Sequence, residues 1–387
     1  MRRLGGKRAK AKQPVQLHLP VVAVTGSAGK TTTKEMIASI LSTQFTIYKS
    51  RGNRNYLGNL KAHAQQIGPE HQVAVLEYGL LYKGDLTRHC RIIQPGYAVI
   101  TNIGSAHVGN VGSDIRALAM AKSELIRAMD PKGKVFLNVD CSYSREFTQQ
   151  PFRGRFQGEF FTIGIKHQAD YQASGLKREG DGIRFHCSID GERFPFFVPV
   201  RGEHNVSNAL LAIAVSHQLG VPVSGIEKGL RQFQPQNRRL TTMNVGPNVN
   251  VIDDTYSSNP QAVKAALDVL EELETGTRIA ILGSMLEMGR YTVPGHSFVG
   301  KYACRKQVDY LYALGKHARY IAAGAIRAGF PPERVILCRS KKQLHRMLHE
   351  HIRPDTSFLV KGSHRLRMNR TVDFLCRKAS AISEQNG

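Results

Sequence analysis

Residues 21–35, VVAVTGSAGKTTTKE, carry the densest chemistry in the sequence. Four apolar residues read as a short buried strand, Thr25-Gly26-Ser27-Ala28-Gly29 as a tight turn, and Lys30-Thr31-Thr32 as the opening of a helix to about Leu41. Glycines let backbone N–H groups close around phosphate oxygens, and a helix N-terminus adds positive potential. A lysine neutralises terminal phosphates, and a threonine hydroxyl can ligate Mg²⁺. The full phosphate-loop spacing wants glycine at position 24, where valine stands, so the motif is the shorter T-G-x-x-G-K-T. With a strand before it and a helix after it, a chance Gly/Lys turn is the weaker reading. A bound nucleoside triphosphate is expected.

Two further groups close apolar runs. Glu77 follows the apolar run of AVLEYG at the end of its expected strand, a costly place for a carboxylate unless a cation meets it, and His107 ends T-N-I-G-S-A-H. With Thr31 they form a candidate Mg²⁺ site of hard oxygen ligands with one imidazole. Either residue alone is more often a satisfied polar group. Beside a phosphate loop they read as one constellation.

The elements that must position these groups alternate strand and helix from Pro20 onward, the signature of a parallel sheet. Expected strands are 74–79, 97–104 and 133–140, with helices over 114–129 and 202–220. Between about 158 and 200, FFTIGI, YQASGLKREGDGIRFHCSI and RFPFFVPV read as short antiparallel strands with Gly-Asp turns, a small β subdomain. Pro, Gln and Asn interrupt the pattern at 235–239, and a second βα series follows. The expected organisation is α/β: a basic flexible arm over 1–18, a P-loop central ATPase domain over 19–235, and a Rossmann-like C-terminal domain over 236–387. Ligands of such open sheets sit at the C-terminal ends of strands, where each polar cluster here falls.

Composition narrows the function classes. The chain has 387 residues, 41% hydrophobic and 22% charged, enough for two or three domains with proper cores. No apolar run approaches the roughly 20 residues that span a bilayer, and no apolar h-region follows the basic N-terminus. Six cysteines lie scattered without a C-x-x-C pair, which suits reduced thiols in the cytoplasm. The net charge of +24, with six cations in residues 1–12, would attract a polyanion or a partner protein, or merely keep the surface solvated. A nucleic-acid-binding ATPase is a reading on charge alone, and the absence of any Trp weakens it.

Ten stretches in order extend the pattern: TGSAGKTTTKEMI, GNRNYLGN, VLEYG, ITNIGSAHVGNVGS, AKSE, GEHNVSNALLA, RRL, VIDDTYSSNP, ILGSMLEMG followed by His296, and LVKGS. On these the chain resembles the Mur ligase family, most closely its UDP-N-acetylmuramoyl-tripeptide:D-alanyl-D-alanine ligase (MurF-type) branch. The resemblance implies an ATP-dependent amide ligase that activates a carboxylate as an acyl phosphate and couples it to an amine, amino acid or peptide. It implies ATP and two Mg²⁺ ions. Lys30, Thr31, Glu77 and His107 would serve phosphates and metal, and Lys122 would be the lysine carbamylated into a further metal ligand. Arg239 would reach the phosphates from the second domain. His204, Asn205, Asn208, Asp254, Tyr256 and Asn259 would contact nucleotide, and Asn53, Asn55, Lys361 and Ser363 substrate.

Departures from the family pattern are Ser257 for asparagine, Ser284 for aspartate and Arg238 for glycine, and only about 18 basic residues stand where the family has a UDP-sugar-binding domain. The expectation drawn from the last point is a non-standard acid substrate, with genuine cell-wall ligase activity as the alternative.

Overall fold

The computed structural model describes residues 17–112, 114–246 and 248–385, so most of the basic arm lies outside the described residues. The first sheet has nine strands: β1 (Val21–Thr25), β2 (Ile47–Lys49), β3 (Val73–Glu77), β4 (Tyr97–Ile100), β5 (Lys134–Asn138), β6 (Glu159–Gly164), β7 (Tyr171–Glu179), β8 (Gly182–Ile189) and β9 (Glu192–Val198), in spatial order β2-β3-β1-β4-β5-β6-β7-β8-β9. Strand β1 is central and parallel to both neighbours, with Val24 opposite Glu77 on one side and Val99 on the other. Alternate residues of β1 enter two different cores. Val22 and Val24 pack with Met36, Ile37 and Leu210, while Val21 and Ala23 pack with Leu118 and Leu125. A strand covered on both faces reads as an unbroken apolar run, which is why the glycine of the longer phosphate-loop motif gives way to a fully buried Val24.

Two sequence expectations change in detail. The segment FFTIGI is not an antiparallel hairpin strand: β6 pairs parallel with β5 and extends the main sheet, and only β7, β8 and β9 run antiparallel. The helix expected over 114–129 is two helices, Ile115–Lys122 and Glu124–Ala128, parted at Ser123, whose hydroxyl bonds back to the Met120 carbonyl at 2.9 Å. Side-chain hydroxyls that compete for backbone carbonyls loosen a helix in this way.

The second sheet comprises β10 (Thr241–Gly246), β11 (Val249–Asp254), β12 (Thr277–Gly283), β13 (Tyr310–Leu314), β14 (Val335–Cys338) and β15 (Thr356–Lys361), ordered β10-β11-β15-β12-β13-β14. It is parallel except for β10, an antiparallel edge strand. The C-terminal ends of β11, β12 and β15 carry Asp254, Ser284 and Lys361. The loop after β12 is held by His296 on the helix Thr292–Arg305: the ring accepts from the Met285 amide at 2.9 Å through Nε2 and donates from Nδ1 to the Thr292 carbonyl.

That pairing requires a neutral imidazole. Burial is the main reason the His296 pKa is pushed down to about 4 from 6.5, with the Thr292 carbonyl opposing and His317 adding to the drop. A depressed folded pKa means the unfolded chain binds the extra proton first. The contribution is fully present above pH 6.5 and is lost as pH falls toward about 4, by up to about 3 kcal/mol. Urea unfolding at stepped pH should show this slope. His296→Gln, which keeps an acceptor for the amide and cannot be protonated, should flatten the slope from this group.

Candidate active site

A cleft of about 630 Å³ runs between the two sheets. Its floor is the phosphate loop, where Gly26 has φ 149° and Gly29 φ 80°. A Cβ on Gly26 would lie 1.9 Å from Thr101 Oγ1, and one on Gly29 2.5 Å from Asn208 Oδ1. Both glycines are therefore required by close approach as well as by backbone angle. The segment after β4 braces the loop: the Ser27 amide donates to the Asn102 carbonyl, the Ala28 amide to Asn102 Oδ1, and Asn102 Nδ2 to the Ala28 carbonyl, all within 3.1 Å. Asn208 accepts from the Thr33 hydroxyl at 3.2 Å and donates to Asn205 at 3.0 Å, tying the helix Glu203–Gln218 to the helix behind the loop.

Around that floor the expected residues come together. Lys30 Nζ lies 2.9 Å from the Gly26 carbonyl. The Thr31 hydroxyl donates to Glu77 Oε2 at 2.6 Å and accepts from Arg239 Nη2 at 2.8 Å. Asn55 Nδ2 donates to the other Glu77 oxygen at 2.7 Å, and the Glu77 amide to Ser50 Oγ at 3.0 Å. Arg239 also stacks over the Tyr256 ring, 4.1 Å from its centroid. The second sheet thus completes the phosphate loop's own hydrogen bonding. Arg238 and Leu240, on either side of Arg239, both have positive φ, so the connection turns sharply to deliver the guanidinium.

Lys122 is 1% exposed, and no carboxylate lies within ion-pair distance among the described residues. Its pKa is held well below the ordinary lysine range, first by burial and then by the field of Lys30. Burial likewise lowers Lys30, with Glu77 opposing and Arg239 reinforcing the drop. His107, at φ 63°, makes a 2.6 Å contact with Glu287 from the second sheet. Its pKa is lowered by burial and by Lys30, against the bond to Glu287. His204 borders the cleft and is pushed down to about 4, chiefly by burial.

Other expected contacts carry structural duties too. Asp254 pairs with buried Lys361, which also donates to the Ser257 carbonyl at 2.9 Å. Asn259 caps the helix Pro260–Glu271 through the Ala262 amide at 2.9 Å. Ser363 accepts from the Leu286 amide at 3.0 Å. These four, with Asn53, line the cleft. Of the departures, Ser284 accepts from the His317 amide at 2.9 Å, and Ser257 enters through its backbone.

Two contributors were not singled out in the sequence. Glu287 lay inside the quoted ILGSMLEMG stretch, and its reach across the cleft had no local signal. Lys34, fully buried, pins the loop before Asn53 by donating to the Ser50 and Gly52 carbonyls. Among the described residues no three His, Cys, Asp or Glu gather to hold a metal by themselves. The donor set still fits Mg²⁺, which takes one or two protein oxygens and completes its shell with phosphate and water. Thr31 and Glu77 supply such oxygens, and the adjacent Asn55 Oδ1 is buried without a partner.

A phosphate loop on one α/β sheet, met by an arginine from a second, defines a nucleotide-binding cleft built by two α/β units. The chain belongs to the Mur ligase family: the Mur ligase middle domain matches residues 24–216, and the Mur ligase, glutamate ligase domain matches 238–364. It is 31% identical to the UDP-N-acetylmuramoyl-tripeptide–D-alanyl-D-alanine ligase of Bacillus subtilis over 92% of this chain and 76% of that one. The Synechocystis protein of the same name is 33% identical over 79% of this chain and 64% of its own. A crystal structure of MurF from Acinetobacter baumannii superposes with a TM-score of 0.83 at 30% identity, covering 92% of this chain and 76% of that one. MurF from Thermotoga maritima in complex with ADP shares the fold with a TM-score of 0.81 at 21% identity, covering 94% and 81%.

The loop geometry sets a test. Gly26→Ala should weaken ATP binding at least about tenfold, because the added methyl must displace Thr101 and the loop with it. Calorimetric titration with ATP checks this, with circular dichroism as the control that the fold persists.

Proposed function

We propose that the chain is a UDP-N-acetylmuramoyl-tripeptide:D-alanyl-D-alanine ligase acting in the cytoplasm on ATP and Mg²⁺. The observation that carries the ligase chemistry is the convergence of Lys30, Thr31, Glu77 and, from the opposite sheet, Arg239 on one cleft. The names of the relatives favour the cell-wall substrate pair over the non-standard acid expected first, and family membership displaces the nucleic-acid reading. Six free thiols suit a reducing compartment, and among the described residues no helix is long and apolar enough to cross a membrane.

In this reading a substrate carboxylate oxygen bonds to the γ-phosphorus as the bond to the β-phosphate oxygen breaks, giving an acyl phosphate and ADP. The incoming amine then bonds to the acyl carbon, phosphate leaves with the C–O electron pair, and the amine sheds a proton. Two anions must meet in the first step, so Lys30 and Arg239 neutralise phosphate charge while the cleft fixes approach. Mg²⁺, when bound, screens the phosphate oxygens, and Thr31, Glu77 and His107 would hold it. Lys122, whose pKa burial and the field of Lys30 hold well below the ordinary lysine range, can in its unprotonated form attack CO₂ through its amine nitrogen with loss of a proton. The resulting carbamate would turn the cation into a ligand for a second Mg²⁺. His204, Asn205, Asn208, Asp254, Tyr256 and Asn259 would meet the nucleotide; Asn53, Asn55, Lys361 and Ser363 would meet the substrates.

Phosphate release with UDP-muramoyl-tripeptide, D-Ala-D-Ala and ATP, with mass spectrometry of the product, tests the assignment. Silence with that pair and turnover with another would overturn it. Lys30→Ala should abolish turnover, a loss of at least about a thousandfold, with the melting profile retained. Lys122→Ala should lose activity and recover part of it with a short carboxylate. Full activity without rescue would reduce Lys122 to a packing residue.

A further inference from the structure

A second cavity, of about 410 Å³, opens on the other side of the loop that carries Asn53 and Asn55. Lys49, Arg51 and Arg54 line it together with Tyr48, Asn59 and Gln66, and no acidic residue does. Lys49 is already paired with Glu35 at 2.6 Å. Arg51 and Arg54 have no ion pair among the described residues, and their side chains are exposed. Side chains along the loop alternate in destination: Asn53 and Asn55 border the active-site cleft, whereas Arg51 and Arg54 border this cavity.

The backbone that presents the arginines is fixed from beneath. Lys34 Nζ donates to the Ser50 and Gly52 carbonyls, and the Arg54 amide donates to the Arg51 carbonyl at 3.2 Å. Buried His63 sits 3.0 Å from the Arg54 carbonyl through Nε2 and 2.7 Å from the Tyr48 hydroxyl through Nδ1. A buried lysine and a buried histidine thus hold a short loop so that two unpaired guanidinium groups edge a pocket of small-ligand size. Guanidinium forks match phosphate oxygens in pairs, and a planar, always-charged group loses little freedom in doing so. The cavity takes no part in the chemistry proposed for the cleft, yet one loop walls both.

We infer that this cavity is an anion subsite that takes a phosphate or diphosphate group, with Arg51 and Arg54 as its principal contacts. The chemistry fits two sources: the diphosphate of a nucleotide-linked acid substrate, or a free inorganic anion. The first source rests on the ligase reading above.

Calorimetric titration of the whole chain with inorganic diphosphate should find two sites, the phosphate loop and this cavity. Arg51→Ala/Arg54→Ala should leave one, with the loop site's affinity unchanged. One site in the unaltered protein, or the same two in the variant, would overturn the inference. Steady-state kinetics then identifies the source. A KM for the UDP-linked acid raised at least about tenfold, with kcat and the KM for ATP within about twofold, assigns the site to the substrate's diphosphate. An unchanged KM together with the lost calorimetric site assigns it to a free anion. If the unaltered protein does not turn over the UDP-linked acid, the ligase reading fails, and the count of diphosphate sites alone decides the subsite.

Discussion

The active-site cleft gathers more positive charge than it can balance. Lys122 lies within the field of Lys30, and both are displaced from the ordinary lysine range first by burial. Arg239 adds a third cation, and Glu77 is the carboxylate set among them, sharing its two oxygens between Thr31 and Asn55. Taking charge out of water is expensive unless counter-charge is supplied. A nucleoside triphosphate carries the charge that balances such a set of cations. The site is therefore organised for anions before they arrive, which is the electrostatic condition for joining two anionic reactants.

That condition is met by two sheets together. The first contributes the phosphate loop, Glu77, His107 and Lys122 from the ends of β1, β3 and β4 and from a helix that breaks just after Lys122. The second contributes Arg239, Glu287 and the Asp254–Lys361 pair. Contacts cross the cleft at several points: Arg239 to Thr31, Glu287 to His107, the Glu287 carbonyl to the Gly109 amide, and Gln261 to Ser105. Gly109 is glycine for a local reason, since a Cβ there would sit 2.7 Å from the Gly289 amide nitrogen. The positive φ values flanking Arg239 mark the connection as the place where the chain turns to bring the second sheet onto the first.

Many polar residues of the cleft serve the scaffold as well. Asn208 fits against Gly29 and Thr33, Asn259 caps a helix, Ser363 receives a loop amide, and Lys361 is buried against Asp254. Substituting any of them would disturb the loop it supports along with whatever it offers a ligand. Lys34 goes further, since its ammonium bonds neither the phosphate loop nor Glu77 yet fixes the segment that separates the cleft from the cationic cavity beside it.

Local sequence determined the elements whose residues are neighbours in the chain. The strand, tight turn and helix of the phosphate loop, the buried strand ending in Glu77, and the second βα series were all legible, because apolar periodicity and glycine placement are short-range signals. The helix Leu57–Gln66 was not read, since only Leu60 and His63 of it are buried and its apolar stripe is faint. The pairing of β6 with β5 was not read either, because strand direction depends on what lies beside a strand in space. Within the site, sequence motifs named Lys30, Thr31, Glu77, His107, Lys122 and Arg239. Only the tertiary structure decided that Arg239 bonds to Thr31, that Glu287 meets His107 across the cleft, and that Arg51 and Arg54 turn away from Asn53 and Asn55 into a cavity of their own. Those outcomes depend on residues as far as 208 positions apart in the chain, and no local pattern encodes which distant side chain will neutralise or face another.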